Sequence, residues 1–268
     1  MDSALRAVEN PDLRLVRLTL ADASPQTMQD EAAAVFELFL RREAEFGVHP
    51  SVVIDHPDIS DRSDKGFIGD AARYVAARSD ALAAEGRAPD RIVVLTTFGD
   101  LVGPSLAAAG FESTVIDMPA GPDHTCAYIR GPAMPAGTGS TLYVEAVNEA
   151  DEKIKPAFAL KLVDGQGQLH GGVCGSIHER GGRRYAYLAT LTTAAEAAQG
   201  TGTFLAEELF RFLRDQGVST VHLGTQTAAA FYRKLGFRVV HRLVPGMRTR
   251  MVGGREVRDD LVMLAMDL

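Results

Sequence analysis

The sequence predicts a mixed α/β fold with a mostly antiparallel sheet flanked by helices. Between residues 142 and 191, short runs of strand-forming residues follow one another, and turn sequences such as GQGQ and ERGG separate the last three. Helical periodicity is confined to separate segments, of which 204–213 is the clearest. With 268 residues and a 46% hydrophobic content, the chain can form one large domain or two of about 130 residues each.

The first half alternates between predicted strands and helices. In chain order the predicted elements are a strand at 13–20, a helix at 27–46, a strand at 51–55, a helix at 68–84, a strand at 91–97, a helix at 101–109, and a hairpin of 110–116 with 124–130. The acidic stretch at 55–64 predicts a solvated loop.

The second half begins after GPAMPAGTGS at 131–140, whose glycines and prolines predict a linker. We therefore divide the chain into an N-terminal domain at 1–130, a linker at 131–140 and a C-terminal domain at 141–268. The predicted elements of the second domain are an antiparallel meander of 142–147, 158–163, 172–178 and 184–191, a helix after the turn at 199–203, a strand at 219–225, a helix that carries Phe231 and Tyr232, and a hairpin of 238–243 with 261–268 around an arginine-rich loop.

The two halves resemble each other weakly. RIVVLTT at 91–97 leads through a helical segment to AAAGF, and STVHLGT at 219–225 leads in the same way to YRKLGF. When the two segments are aligned on Gly-Phe, Leu106 takes the position of Tyr232. Either the first half is a truncated copy of the second half that lacks its catalytic residues, or the two strand–helix segments are similar by chance.

Composition narrows the function classes. A net charge of −7 and a pI of about 5.5 argue against nucleic-acid partners. The two cysteines, Cys126 and Cys174, are far apart and show no metal-ligand spacing, so neither a disulfide framework nor a metal site is expected. No apolar run approaches the roughly 18 residues of a membrane helix, and no secretory signal is visible, so we expect a cytoplasmic protein without a membrane partner.

The glycine-bearing turn at 199–203, QGTGT, precedes the amphipathic helix. A helix start leaves backbone N–H groups unpaired, and glycines let a ligand approach them closely. Such a turn suits a phosphate-bearing cofactor, although GxG by itself is also typical of an ordinary helix start.

Together with AAAFYRKLGF at 228–237, this turn resembles the signature of the GNAT superfamily of acyl-CoA-dependent N-acyltransferases, over residues 142–268 and in a tandem or truncated-tandem layout. The resemblance implies a GNAT-type sheet, a degenerate partial GNAT-like N-terminal half, and acetyl-CoA as co-substrate without a metal. It implies that Tyr232 is catalytic, as the proton donor to the departing CoA thiolate. The cofactor-binding residues that it implies are Leu191, Thr192, Thr193, Gln199, Gly200, Thr201, Gly202, Thr203, Phe204, Thr225 and Phe231.

Within these motifs, Gln199 replaces the frequent arginine, Phe204 a small residue and Thr225 an asparagine. The general base is left open among His222, His178, Glu179 and a water chain. The arginines at 242–258 either lie at a solvated hairpin tip or bind a phosphate group.

We expect acetyl transfer to a primary amine of a small molecule by direct attack, in a monomer or homodimer. A CoA-binding module without turnover and an enzyme for a longer acyl-CoA are the alternatives.

Overall fold

The computed structural model describes residues 12–43, 47–59, 66–120, 123–135, 137–147 and 156–268. The strands in this part of the chain are β1 Arg14–Thr19, β2 Gly47–Val48, β3 Val52–Asp55, β4 Arg91–Thr96, β5 Glu112–Ala120, β6 Asp123–Arg130, β7 Thr141–Ala146, β8 Phe158–Val163, β9 Leu169–Arg180, β10 Arg183–Thr193, β11 Val218–Thr225, β12 Arg238–Val252 and β13 Arg255–Asp267. The helices are α1 Pro25–Glu43, α2 Ala71–Ala84, α3 Gly99–Ala108, α4 Thr201–Asp215 and α5 Ala229–Lys234.

The strands form two sheets. An eight-stranded sheet has the order β1-β8-β9-β10-β11-β13-β12-β2, and a five-stranded sheet has the order β3-β7-β4-β6-β5. In the larger sheet only β10 and β11 are parallel neighbours, whereas in the smaller one β7 runs parallel to both β3 and β4. The predicted mixed, mostly antiparallel sheet with flanking helices is confirmed.

The two sheets lie between helices. Helix α4 packs on one face of the eight-stranded sheet, where Leu209 meets Leu160 and Val173. Neighbouring residues of the same strands point to the opposite face, and there Ala159 and Cys174 contact α1.

The five-stranded sheet covers the β12–β13 side of that second face, with Val93 and Tyr143 against Leu243 and Val244. Helices α2 and α3 close its outer face. None of the described helices is long and apolar enough to span a membrane.

The sheets do not follow the predicted boundary at 131–140. Strand β1 pairs with β8 along its whole length, and α1 buries Met28 and Val35 against the larger sheet. Residues 14–48 therefore complete the sheet that is built mainly from residues 158–267. The apolar faces of β1 and α1 have their partners there, so the strand pairing does not follow the division into 1–130 and 141–268.

Strand β7 also departs from the prediction, because it is not part of the antiparallel meander. It lies between β3 and β4 in the smaller sheet, and β1 takes the predicted place next to β8. Five of its six residues are buried, as is typical of a strand with parallel neighbours and covered faces. The meander is therefore β8-β9-β10.

The predicted arginine-rich loop is a ladder of two long strands. β12 and β13 continue to a tight turn at Gly253 and Gly254, both with positive φ. Most of the arginines pair with acids: Arg242 with Asp260, Arg250 with Asp259, Arg258 with Glu256 and Arg248 with Glu43. Two of these pairs, Arg242–Asp260 and Arg250–Asp259, join the two strands diagonally, and such cross-strand pairs help the hairpin extend where the sequence suggested a solvated tip.

Candidate active site

The site begins where β10 and β11 separate. The two parallel strands pair only between residues 184–187 and 218–222. A bulge then follows in β10 between Leu188 and Thr190, and the bulged Ala189 is exposed. Beyond it, β10 stays paired with β9 and β11 stays paired with β13. One edge of β10 over residues 190–193 therefore faces a gap in the sheet.

This gap is the mouth of a cleft of about 440 Å³. Its walls come from both sheets and from three helices. The residues at the gap itself are Tyr187, Leu188, Ala189, Thr190, Leu191, Thr192, Thr193, Gly224 and Thr225. Helices α4 and α5 and the turn before α5 add Gly202, Thr227, Ala228, Phe231 and Tyr232, and the opposite wall includes Phe39, Arg42, Glu43, Leu95, Tyr143 and Glu145.

Helix α4 begins beside the cleft, and no side chain caps its N-terminus. Its N-cap is Gly200, with a φ of 96° and no side-chain cap. The N–H groups of Thr201 and Phe204 donate to the carbonyls of Ala198 and Gly200 within the turn, at 3.1 and 2.9 Å. Among the described residues no acceptor contacts the N–H groups of Gly202 and Thr203, which leaves two donors at the positive end of the helix.

The side chains of this turn have different positions. Gly202 lines the cleft, and a Cβ there would lie 3.5 Å from the Phe231 ring. The Thr201 hydroxyl donates to the Ala198 carbonyl at 2.7 Å and so serves the turn itself. Gln199 is exposed and Phe204 half-buried, and neither lines the cleft. A role of this turn in phosphate binding therefore rests on backbone donors.

Tyr232 lines the cleft from α5. The residue is 5% exposed, and its ring packs against Phe231 and Phe237 at centroid distances of 5.1 and 5.5 Å. Burial raises the pKa of its hydroxyl far above the usual value, so the group stays protonated and can donate. The Thr225 hydroxyl accepts from the N–H of Ala228 at 3.1 Å and thereby fixes the start of α5.

The three candidate bases named from the sequence lie outside the cleft. The His178 ring stacks on Tyr185 at 5.4 Å, and the His222 ring meets the same tyrosine edge-on at 5.9 Å. Glu179 is exposed on β9. All three belong to the part of the sheet where β10 and β11 are still paired, which is why they do not reach the gap.

Two acidic residues that we did not predict face the cleft instead. Glu43 lies near the end of α1, 3.5 Å from the Nη2 atom of Arg248. Burial raises the pKa of Glu43, and the charge of Arg248 opposes that shift. Glu145 lies on β7 in the other sheet. A carboxylate in the apolar run TLYVEA was the only sequence signal for Glu145.

Within the part of the chain that the structure describes, no group of three or more His, Cys, Asp or Glu side chains could hold a metal ion. Both cysteines are buried, and neither lines the cleft. Burial raises the pKa of the Cys174 thiol to about 11, which keeps it uncharged at neutral pH.

Comparison with solved structures finds similar chains of low identity. An IAA acetyltransferase from Bacillus cereus is 20% identical, covering 44% of this chain and 82% of its own, with a TM-score of 0.35. A GNAT family acetyltransferase from Elizabethkingia anophelis with acetyl-CoA bound is 16% identical over 41% and 76% of the chains, with a TM-score of 0.32. Arabidopsis thaliana NAA60 in complex with a bisubstrate analogue is 19% identical over 41% and 74%, also with a TM-score of 0.32.

No curated protein matches the sequence. Residues 132–237, however, match the acetyltransferase (GNAT) family. This segment contains β10, β11, α4 and α5, which form the gap, the helix start and the site of Tyr232. The resemblance seen in the two sequence motifs is thereby confirmed: residues 132–237 of this chain match the GNAT family of acetyltransferases.

Proposed function

We propose that this protein is an N-acetyltransferase that moves the acetyl group of acetyl-CoA to a primary amine of a small molecule. The observation that carries the proposal is the gap between β10 and β11. It offers free backbone donors of α4 and a protonated tyrosine of α5 on one side, and two carboxylates on the opposite wall.

The co-substrate fits the backbone groups around the gap. The N–H groups of Gly202 and Thr203, at the positive end of α4, suit the pyrophosphate. The free edge of β10 at residues 191–193 suits the amides of the pantetheine arm, which can pair with it as an added strand would. Phe231 lies next to Gly202, which leaves the backbone of this turn without a side chain of its own.

The reaction would proceed by direct attack of the amine on the acyl carbon. The C–N bond forms, the C–S bond breaks, and the CoA thiolate departs. Tyr232 would donate to that thiolate, because its buried hydroxyl keeps its proton through neutral pH. A covalent acyl-cysteine is disfavoured, since neither cysteine lines the cleft and the Cys174 thiol has a raised pKa.

Two measurements on the purified chain test this function. Acetyl-CoA should raise the midpoint of thermal unfolding in a concentration-dependent way, because it binds only the folded state. With a panel of primary amines, free thiol should be released at a rate that depends on the amine. Absence of stabilisation by acetyl-CoA at millimolar concentration would contradict the proposal, and stabilisation without thiol release would leave a CoA-binding module.

We also propose that the protein acts in the cytoplasm as a monomer or homodimer, and that its five-stranded sheet derives from a degenerate GNAT-like unit. The same succession of strands and helices in the two sheets supports this relation. Size-exclusion chromatography with light scattering would give the oligomeric state directly.

A further inference from the structure

We infer that the cleft contains an acyl subsite that takes linear acyl chains longer than acetyl, such as butyryl, and that Met263 is its adjustable end. This inference rests on the proposed function and deepens it, because it states which acyl groups the same site accepts. It concerns the end of the cleft where the gap in the larger sheet meets the space between the two sheets.

The proposed path of the co-substrate leads to the closed end of the gap. With the pyrophosphate at Gly202 and Thr203 and the pantetheine arm along residues 193 to 191, the thioester reaches the part of β10 next to the bulge. There β10 and β11 come together, and the nearest registered pair is Tyr187 with His222. An acyl chain that continues in this direction runs towards Tyr187 and Gly224, which both line the cleft.

This end of the cleft meets the apolar core between the sheets. Tyr187 packs against that core, and Gly224 is the register partner of Met263, which belongs to it. Other residues line the cleft and also form or contact this core, namely Leu95, Tyr143, Leu243 and Leu261. These side chains present mostly hydrocarbon surface, so each methylene of an acyl chain that reaches them gains by leaving water. An acetyl group, which ends at its methyl carbon, reaches the least of this surface.

Met263 covers Gly224 at this end of the cleft. A Cβ at position 224 would lie 3.2 Å from the Sδ atom of Met263 and 3.5 Å from the Oη atom of Tyr187. The thioether therefore occupies the place that a side chain at 224 would take. Because methionine is unbranched and adapts to irregular spaces, Met263 can move aside for a longer chain and fill the space behind a short one.

The two carboxylates of the cleft are compatible with an uncharged chain beside them. Glu43 is ion-paired with Arg248, and Glu145 also interacts with a neighbouring group of the protein. Neither carboxylate depends on the ligand for a partner, so an acyl chain can pass them without leaving a charge unpaired.

Calorimetric titration with acetyl-CoA, butyryl-CoA and octanoyl-CoA tests the subsite without an acceptor. Each methylene that leaves water favours binding about fourfold, and butyryl-CoA carries two more than acetyl-CoA, so its Kd should be about tenfold lower. Octanoyl-CoA should bind no more tightly than butyryl-CoA, because its chain exceeds the space that Met263 leaves. Free CoA should displace all three, which distinguishes this site from nonspecific adhesion.

Two variants move the end of the subsite in opposite directions. Met263→Ala should lower the Kd for octanoyl-CoA about tenfold, since the space of the thioether becomes available to the chain, and the Kd for acetyl-CoA should stay within twofold. Gly224→Ala should push the thioether into the subsite, so that butyryl-CoA loses its advantage over acetyl-CoA. Met251→Ala is the matched control, because Met251 is 67% exposed near the turn of the β12–β13 hairpin, and it should leave every Kd within twofold.

If the wild type binds acetyl-CoA as tightly as butyryl-CoA or more tightly, the inference is overturned and the proposed function stands. The same chain-length preference in Met263→Ala and Met251→Ala would overturn the role of Met263. Should Met263→Ala not fold, the wild-type series and Gly224→Ala decide. If none of the acyl-CoAs binds, the proposed function itself fails.

Discussion

The two sheets contain the same succession of strand, helix, strand, helix and hairpin, but among the described residues the strands on either side of the first helix separate into a gap only in the larger sheet. In the smaller sheet the succession is β3-α2-β4-α3-β5-β6, and in the larger one it is β10-α4-β11-α5-β12-β13. In both, the second hairpin strand pairs with the strand before the last helix. Even the helix ends agree: the N–H of Phe111 donates to the Leu106 carbonyl, and that of Phe237 to the Tyr232 carbonyl, both at 3.1 Å.

Three differences separate the units, and each removes one requirement of the chemistry. β7 fills the space between β3 and β4, whereas β10 and β11 pair directly at one end and separate at the other, which leaves the gap. The side chain of Asp70 caps the start of α2, where α4 has only Gly200. Leu106 takes the position of Tyr232. The comparison teaches that the fold alone is only a scaffold. An active site also needs a gap between the strands, a helix N-terminus without a side-chain cap, and a proton donor such as Tyr232.

The largest effect is expected from replacing Tyr232, the proposed proton donor. Tyr232→Phe should lower kcat about 100-fold, because the departing thiolate loses its proton donor, while the Kd for acetyl-CoA stays within twofold. Steady-state kinetics and calorimetry measure the two quantities. Tyr128→Phe in the other unit, which removes a hydrogen bond to the Gly99 carbonyl, is the matched control and should not change kcat. Equal losses in both variants would refute the assigned role.

The helix start should give the next largest effect. Gly202→Asp introduces a carboxylate near the free donors of α4, much as Asp70 occupies the start of α2. Acetyl-CoA should bind about 30-fold more weakly, since each buried charge–phosphate contact contributes roughly 2 kcal/mol. Gly165→Asp serves as the control, because nothing lies within 4 Å of a Cβ at that position. Unchanged affinity in Gly202→Asp would separate the turn from phosphate binding.

Removing the side-chain cap of α2, beside the five-stranded sheet, should affect stability alone. Asp70→Ala removes the cap that accepts from the Arg73 N–H at 3.0 Å, so the free energy of unfolding should fall by about 1 kcal/mol. Urea titration measures this loss. The Kd for acetyl-CoA should not change; a gain of affinity or a second binding event would show that the smaller sheet can also bind the co-substrate.

The smallest effect is on stability at alkaline pH, and it should be the same for Tyr128 in the smaller sheet and Tyr232 on α5. Burial raises the pKa of Tyr128 and of Tyr232, so each stabilises the folded state below pH 10, the ordinary tyrosine value, and loses that contribution above it. Between pH 8 and pH 10.5 the free energy of unfolding should therefore fall by roughly 0.8 kcal/mol less in each phenylalanine variant than in the wild type. Urea titrations at pH 8 and 10.5 measure it. An identical alkaline loss in wild type and variants would show that these hydroxyls already ionise in the folded protein.

The sequence was sufficient where neighbours in the chain determine the structure. The apolar stripe of α4, the glycines of its turn and the FYRKLGF segment are local patterns, and they locate the helix start and Tyr232 without knowledge of packing. The fold class follows from the same periodicities.

What the sequence could not provide depends on contacts between distant segments. The apolar faces of β1 and α1 do not say which sheet they cover. Strand β7 looks like any buried strand until its parallel partners are known. For the same reason Glu145 was missed and the histidines at 178 and 222 were considered: only the point where β10 leaves β11 decides which side chains reach the cleft.

The pairing of β1 with β8 has a consequence for synthesis of the protein. Helix α1 ends at Glu43 and its partner strand β8 begins at Phe158, 115 positions later. At 5 to 20 residues per second, a ribosome needs roughly 10 s to make that stretch. During this time the strands of the larger sheet on which α1 packs, including Ala159 and Cys174, have not yet been made. The active-site wall that carries Phe39 and Glu43 is thus translated early and assembled late, and the early segment is the part of this protein that a chaperone would be expected to protect.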